Sequence, residues 1–146
     1  MTPALDASVT GAIEKFIVGS PYGRLLGLAS DAIEPDRVRV RLPFRPELAT
    51  VGEQVHGGAI ASLVDVAATA AAWATPGATL AARGTTVGIS LSFLAAGQGC
   101  ALVAEAVVIR RGGSLCTLDV GVAGAGGGAV ARALVTYKLS LPRAEE

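Results

Sequence analysis

The chain has 146 residues, 51% hydrophobic and 16% charged, and its 12 basic and 12 acidic side chains leave no formal net charge. That length and composition fit one domain over residues 1–146 with a true core, and exclude a disordered chain. The charge balance points to neither nucleic acid nor an anionic membrane surface as a partner.

Met1 to Thr10 lacks a charged region followed by an apolar stretch, so no secretory leader is expected. Residues 7–18 predict a short amphipathic helix, with Ile13, Phe16 and Ile17 on its apolar face and Gly19-Ser20-Pro21 as its stop. A strand is expected over 27–33, a turn at Glu34-Pro35-Asp36, then a half-buried strand over 37–42 whose alternation turns Arg37, Arg39 and Arg41 to water. Residues 43–55 read as a loop. From His56 to about Thr75 runs the one long helix, ended by Pro76-Gly77 and apolar on all sides, as in a helix enclosed by other structure. It is not a membrane span, since no apolar run reaches about 18 uninterrupted residues. Four strands follow, at 84–95, 100–111, 114–123 and 129–140, the last three joined by short glycine-rich turns suited to an antiparallel meander. Cys100 and Cys116 offer neither metal-ligand spacing nor a disulfide framework. They read as two reduced, buried thiols of a cytoplasmic protein. The order of elements predicts an α+β domain in which a curved antiparallel sheet wraps one central helix.

An acid stands inside that helix. Ser62, Asp65 and Thr69 share one stripe, which Trp73 continues. Burying a carboxylate without partners is costly, so the stripe either faces solvent, or uses Asp65 as a structural acceptor, or is a site. Gly57-Gly58 opens the helix, where backbone N–H groups lack partners and the dipole adds positive charge. This end is either a tight loop-to-helix turn or an oxyanion site. His56 is read as the residue that shapes the loop rather than as a general base. Gly57 and Asp65 are eight residues apart, about 12 Å along one helix, so one carbonyl cannot reach both within a chain. An active site built from both needs a two-fold dimer with antiparallel helices.

His56-Gly57-Gly58, the acid at Asp65 and the later stretch "TTVGISLSFLAAG" together resemble the hotdog-fold acyl-CoA thioesterases, in particular the PaaI-like family, over most of the chain from Ser20 to the last strand. The resemblance implies a hotdog fold and hydrolysis of an aryl-acyl or medium-chain acyl-CoA, with no cofactor beyond the coenzyme A of the substrate and no metal. It implies that the Gly57 N–H polarises the thioester carbonyl and that Asp65 is general base or nucleophile. A 4-hydroxybenzoyl-CoA branch has Glu at that position. Thr69 and Thr86 match positions that help hold water, and His56 organises the loop. A homodimer, or a dimer of dimers, is the implied assembly. The pattern departs at Thr50, where relatives often carry Asn, at Gly88-Ile89-Ser90, where many have an acid, and at Ala96, where many have Pro. Arg83, Arg110 and Arg111 are the candidates for the phosphates of CoA. Thr50 and Ser62 are substrate-side candidates, and Trp73 either lines the acyl pocket or packs in the core. The alternative function is a non-catalytic acyl-CoA-binding domain, a sensor or scaffold. A hydratase would need a catalytic histidine elsewhere, and His56 is the only one.

Overall fold

The computed structural model describes residues 3–143. Helix α1 (Ala7–Ala12) starts where the Asp6 carboxylate accepts the N–H groups of Ser8 and Val9. The chain then widens into a π-helical stretch, Ile13–Val18, closed by Gly19 N–H donating to the Glu14 carbonyl. This corrects the expected continuous helix over 7–18. The wider turn brings Ile13 and Val18, five positions apart, into the core and leaves Phe16 53% exposed, so Phe16 is not on the inner face. Pro21 opens a further turn, α2 (Pro21–Leu26), at its first position, with the Ser20 hydroxyl as cap.

Strands β1 (Ala29–Glu34) and β2 (Arg37–Leu42) meet at a tight turn in which Asp36 takes a φ of 60°. Strict alternation along β2 buries Val38, Val40 and Leu42 and turns its arginines out, as expected. The loop that follows contains one 3-10 turn, Pro46–Leu48. Helix α3 (Gly57–Trp73) is followed by β3 (Arg83–Phe93), β4 (Leu102–Arg111), β5 (Leu115–Gly124) and β6 (Ala129–Ser140). The six strands form one sheet in the order β1-β2-β4-β5-β6-β3, antiparallel at every pairing. β3, next after α3 in sequence, crosses to the far side and becomes an edge.

The sheet curls around α3. Alanines make this possible: Ala67, Ala68, Ala70, Ala71 and Ala72 are buried on a helix whose small side chains let the strands approach closely. Leu63 and Val64 on α3 meet Leu102, Leu118 and Val120 from the sheet, all without exposed surface. Full burial of such a side chain contributes about 1.5–3 kcal/mol. On the outer face, Glu105 bridges Arg37 and Arg39, Asp31 pairs with Arg41, and Asp119 pairs with Arg132. These pairs are largely solvated and contribute little each.

The far end of α3 is tied down. The Arg111 guanidinium donates to the Ala72 carbonyl at 3.0 Å and to Asp36 at 2.8 Å, and Asp36 N–H donates to the Ala74 carbonyl. A fixed cation thus sits at the negative end of the helix dipole. Cys116 is buried nearby, and burial pushes its thiol up; Cys100 is half-buried, and both are free. Among the described residues, no helix is long and apolar enough to cross a membrane.

Candidate active site

The N-terminus of α3 is fixed by its loop. Residues 48–56 fold back on themselves, Thr50 N–H donating to the Gln54 carbonyl and His56 N–H to the Leu48 carbonyl. The loop is also stitched to 97–99, Val55 N–H donating to Gly97 and Gly99 N–H to Glu53. His56 is the N-cap: its Nδ1 accepts the Gly58 N–H at 2.8 Å. With His56 as the cap, the helix starts one residue later than expected, at Gly57. Gly58 N–H is therefore used by the cap, and Ala59 and Ile60 N–H donate to the His56 carbonyl. Gly57 N–H is the first-turn donor that reaches no acceptor among the described residues. It opens on a cleft of about 310 Å³ walled by Ile60, Phe93, Leu94 and Ala96. The Phe93 ring lies against Gly57, 3.4 Å from where a Cβ would be.

Two turns further along, Asp65 is half-buried and its Oδ1 accepts a hydrogen bond from Thr86 Oγ1 at 2.6 Å. The structure thus brings Thr86, on β3, directly to the carboxylate, whereas the resemblance implied only a position that helps hold water. The stripe Ser62, Asp65, Thr69 and Trp73 is half-open, whereas the opposite faces of α3 are covered by the sheet. Asp65 consequently lies on the one face of the helix that its own chain leaves uncovered. Ser62 donates to the Gly58 carbonyl at 2.8 Å and lies 2.8 Å from the hydroxyl of Tyr22, a contact no spacing in the sequence announced.

Trp73 Nε1 donates to the hydroxyl of Tyr137 at 2.9 Å. Tyr137 sits opposite Thr86 in the β3–β6 register. Burial pushes its phenol up against the opposing Trp73 hydrogen bond, and the Asp65 carboxylate adds to the push, so the two groups share one electrostatic neighbourhood. Sequence reasoning missed Tyr137, because only the strand register reveals it as a neighbour of Thr86. Gly84 makes room for it: a Cβ there would stand 2.6 Å from Tyr137 Cε1. Gly84→Ala is expected to lower stability by about 1–3 kcal/mol through overpacking, read as a drop in the denaturant midpoint at unchanged m-value.

The arginines lie apart. Arg111 points inward to the C-terminus of α3. Arg110 is exposed and two strands, β5 and β6, separate its strand from that of Arg83. Arg83 caps the carbonyls of Leu80, Ala81 and Ala82, and with Thr85 and Lys138 it borders a shallow cleft of about 250 Å³. Lys138 was not singled out in the sequence; it joins Arg83 because β6 pairs with β3. Thr50 is exposed on the loop, near but not within the cleft at Gly57.

A six-stranded antiparallel sheet rolled around a central helix is the hotdog fold, with a candidate site on the open face of that helix. Residues 52–131, more than half of the chain, match the sequence model of the thioesterase superfamily, and the chain belongs to that superfamily. A provisionally named esterase of Halobacterium salinarum is 29% identical over 100 residues, which span 66% of this chain and 66% of that protein. Among solved structures, a thioesterase family protein from Silicibacter pomeroyi superposes with a TM-score of 0.81 at 21% identity, over 92% of this chain and 99% of the other. The PaaI protein of the Escherichia coli phenylacetic acid degradation operon shares the fold with a TM-score of 0.70 at 21% identity, over 79% and 85%. So does a hypothetical thioesterase from Streptococcus pneumoniae, solved with coenzyme A, with a TM-score of 0.67 at 20% identity over 81% and 89%. The fold is therefore PaaI-like.

Proposed function

We propose that the protein is an acyl-CoA thioesterase that hydrolyses an aryl-acyl or medium-chain acyl-CoA at two equivalent sites of a homodimer. The observation that carries this reading is the pair of groups on α3. A carboxylate, Asp65, is held by Thr86 on the open face, and a free N–H, that of Gly57, lies eight residues away. At about 12 Å apart they serve one carbonyl only when Asp65 of one chain meets Gly57 of the partner subunit.

The edge strands support such a dimer. β3 is 11 residues long and exposes Val87, Ile89 and Phe93, an invitation to pairing. β1, at the other edge, has six residues, a bulge and the acids Asp31 and Glu34. The exposed Ile109 and Leu134 on the outer face of the sheet are apolar surface that a dimer of dimers would cover. For CoA, the cleft at Arg83 and Lys138 offers two cations without carboxylate partners in the described residues, and Arg110 offers a third. The compartment in keeping with two free thiols is the cytoplasm.

In the proposed reaction the Gly57 N–H polarises the thioester carbonyl. Asp65 takes a proton from water as the water oxygen bonds to the carbonyl carbon, or attacks that carbon itself. The oxyanion gathers negative charge against the helix dipole. Collapse breaks the C–S bond, and the thiolate leaves as CoA–SH with the proton that Asp65 held. In the nucleophilic variant Asp65 holds no proton: CoA leaves as the thiolate, water then hydrolyses the mixed anhydride to the free acid and the Asp65 carboxylate, and a proton released from that water goes to the thiolate. Thr86 holds the carboxylate in place, and Thr69, one turn below, is suited to a water. Neither a metal nor a further cofactor enters this scheme. The test is free-thiol release by the wild-type protein from a panel of aryl- and alkyl-acyl-CoAs. Sustained turnover is expected on at least one class; binding of CoA thioesters without any release of thiol would favour the sensor or scaffold reading.

A further inference from the structure

We infer that the hydrogen-bonded pair Trp73–Tyr137 is the floor of the acyl pocket and sets the longest acyl group the site accepts. This deepens the thioesterase reading and rests on it. The open stripe of α3 has two directions out of Asp65. Toward the N-terminus it is closed by Tyr22, whose hydroxyl is 2.8 Å from that of Ser62. Toward the C-terminus it stays half-open past Thr69 as far as Trp73. An acyl group bonded to a carbonyl at Asp65 therefore extends along Thr69 and meets the indole after about 12 Å, eight residues at ~1.5 Å each.

The indole is a fixed stop rather than a movable one. Its Nε1–H is held by the Tyr137 hydroxyl at 2.9 Å. Tyr137 is itself 4% exposed, is seated against Gly84, and faces Thr86 in the register. An indole anchored at its only polar atom cannot swing aside without leaving a buried hydroxyl unpaired. Tyr137 is thus a positioning residue, acting on the substrate through Trp73. The pocket takes aryl groups and chains that end before the indole and rejects longer ones.

The chain contains a single tryptophan, so its fluorescence reports on this floor directly. The experiment titrates the intact protein with non-hydrolysable thioethers, S-ethyl-, S-octyl- and S-dodecyl-CoA, and follows Trp73 emission and affinity together. The ethyl compound is expected to bind without moving the emission and the octyl compound to shift it. The dodecyl compound should bind no more tightly than the octyl. In Tyr137→Phe, which frees the indole, the ratio of dodecyl to octyl affinity is expected to rise about tenfold, and the kcat/KM ratio for the matching thioesters to rise with it. If all three compounds bind and Trp73 stays silent, the acyl group lies elsewhere and the floor is overturned while the thioesterase reading stands. If none binds and no thioester is turned over, the thioesterase reading fails and takes the floor with it. The wild-type titration decides the matter even if Tyr137→Phe does not fold.

Discussion

Asp65→Asn is expected to lower thiol release by about 10²- to 10⁴-fold, the range for losing a positioned general base, and by more if the carboxylate is the nucleophile. The substitution suits the site. Asparagine has the shape of aspartate, and its Oδ1 can still accept the Thr86 hydroxyl, so the contact at 2.6 Å survives. Asp65 has no salt-bridge partner among the described residues, so no cation is left stranded. The variant should keep its melting temperature and its oligomeric state while kcat collapses. Equal turnover by variant and wild type would remove Asp65 from the chemistry. A collapse accompanied by unfolding would have to be repeated with the fold restored before it counted.

Gly57→Pro should cost about 10²- to 10³-fold in kcat, the effect of deleting one oxyanion donor. Proline is well matched to this position. Gly57 is the first residue of α3, where proline is favoured because its missing N–H breaks no helical bond. His56, just before it, already has φ −61° and ψ 135°, the extended conformation that proline imposes on its predecessor. The helix is kept and one donor is removed. Mixing the two inactive variants then reads the geometry. In a mixed dimer one site has an intact Gly57 and an intact Asp65, and the other has neither. Random exchange at equal amounts should restore about one quarter of the wild-type rate, since half the dimers are mixed and each has one working site. No recovery after subunit exchange would mean that both groups act within one chain, and the 12 Å separation would then demand a different chemistry.

Much of the frame could be read from the residues because its signals are local. The alternation of β2, the all-round apolar α3, the glycine turns between strands and the His56-Gly57-Gly58 start each declare themselves within a few positions. Strand ends shifted by one or two residues, β3 ending at Phe93 rather than near 95 and β4 beginning at Leu102. The π-helical stretch escaped because a buried pair at a spacing of five, Ile13 and Val18, looks like noise against a helical period, while Phe16 fits that period and is exposed. The candidate site was legible where it lies on α3, and where Thr86 follows soon after. Tyr137, Lys138 and Tyr22 were not, because each meets the site only through long-range pairing. Arg111 shows the converse. A doubled arginine before a glycine turn suggests a phosphate, yet the bulge between Val108 and Arg110 shifts the alternation of β4 and turns Arg111, rather than Arg110, inward to the carbonyls of α3.

The unequal edges of the sheet bear on what this chain does at high concentration. An exposed strand pairs with whatever presents a matching one, and a sheet with two such edges polymerises. Of the two edges β3 is the longer, at 11 residues, and it exposes Val87, Ile89 and Phe93, although its own register breaks between Thr86 and Gly88. Two-fold pairing would use both copies at once, leaving at the outside two short strands with a kink and acidic side chains. Growth by edge pairing would therefore terminate after a single step. If the proposed dimer forms through β3, crowding is expected to favour that closed particle over a fibril.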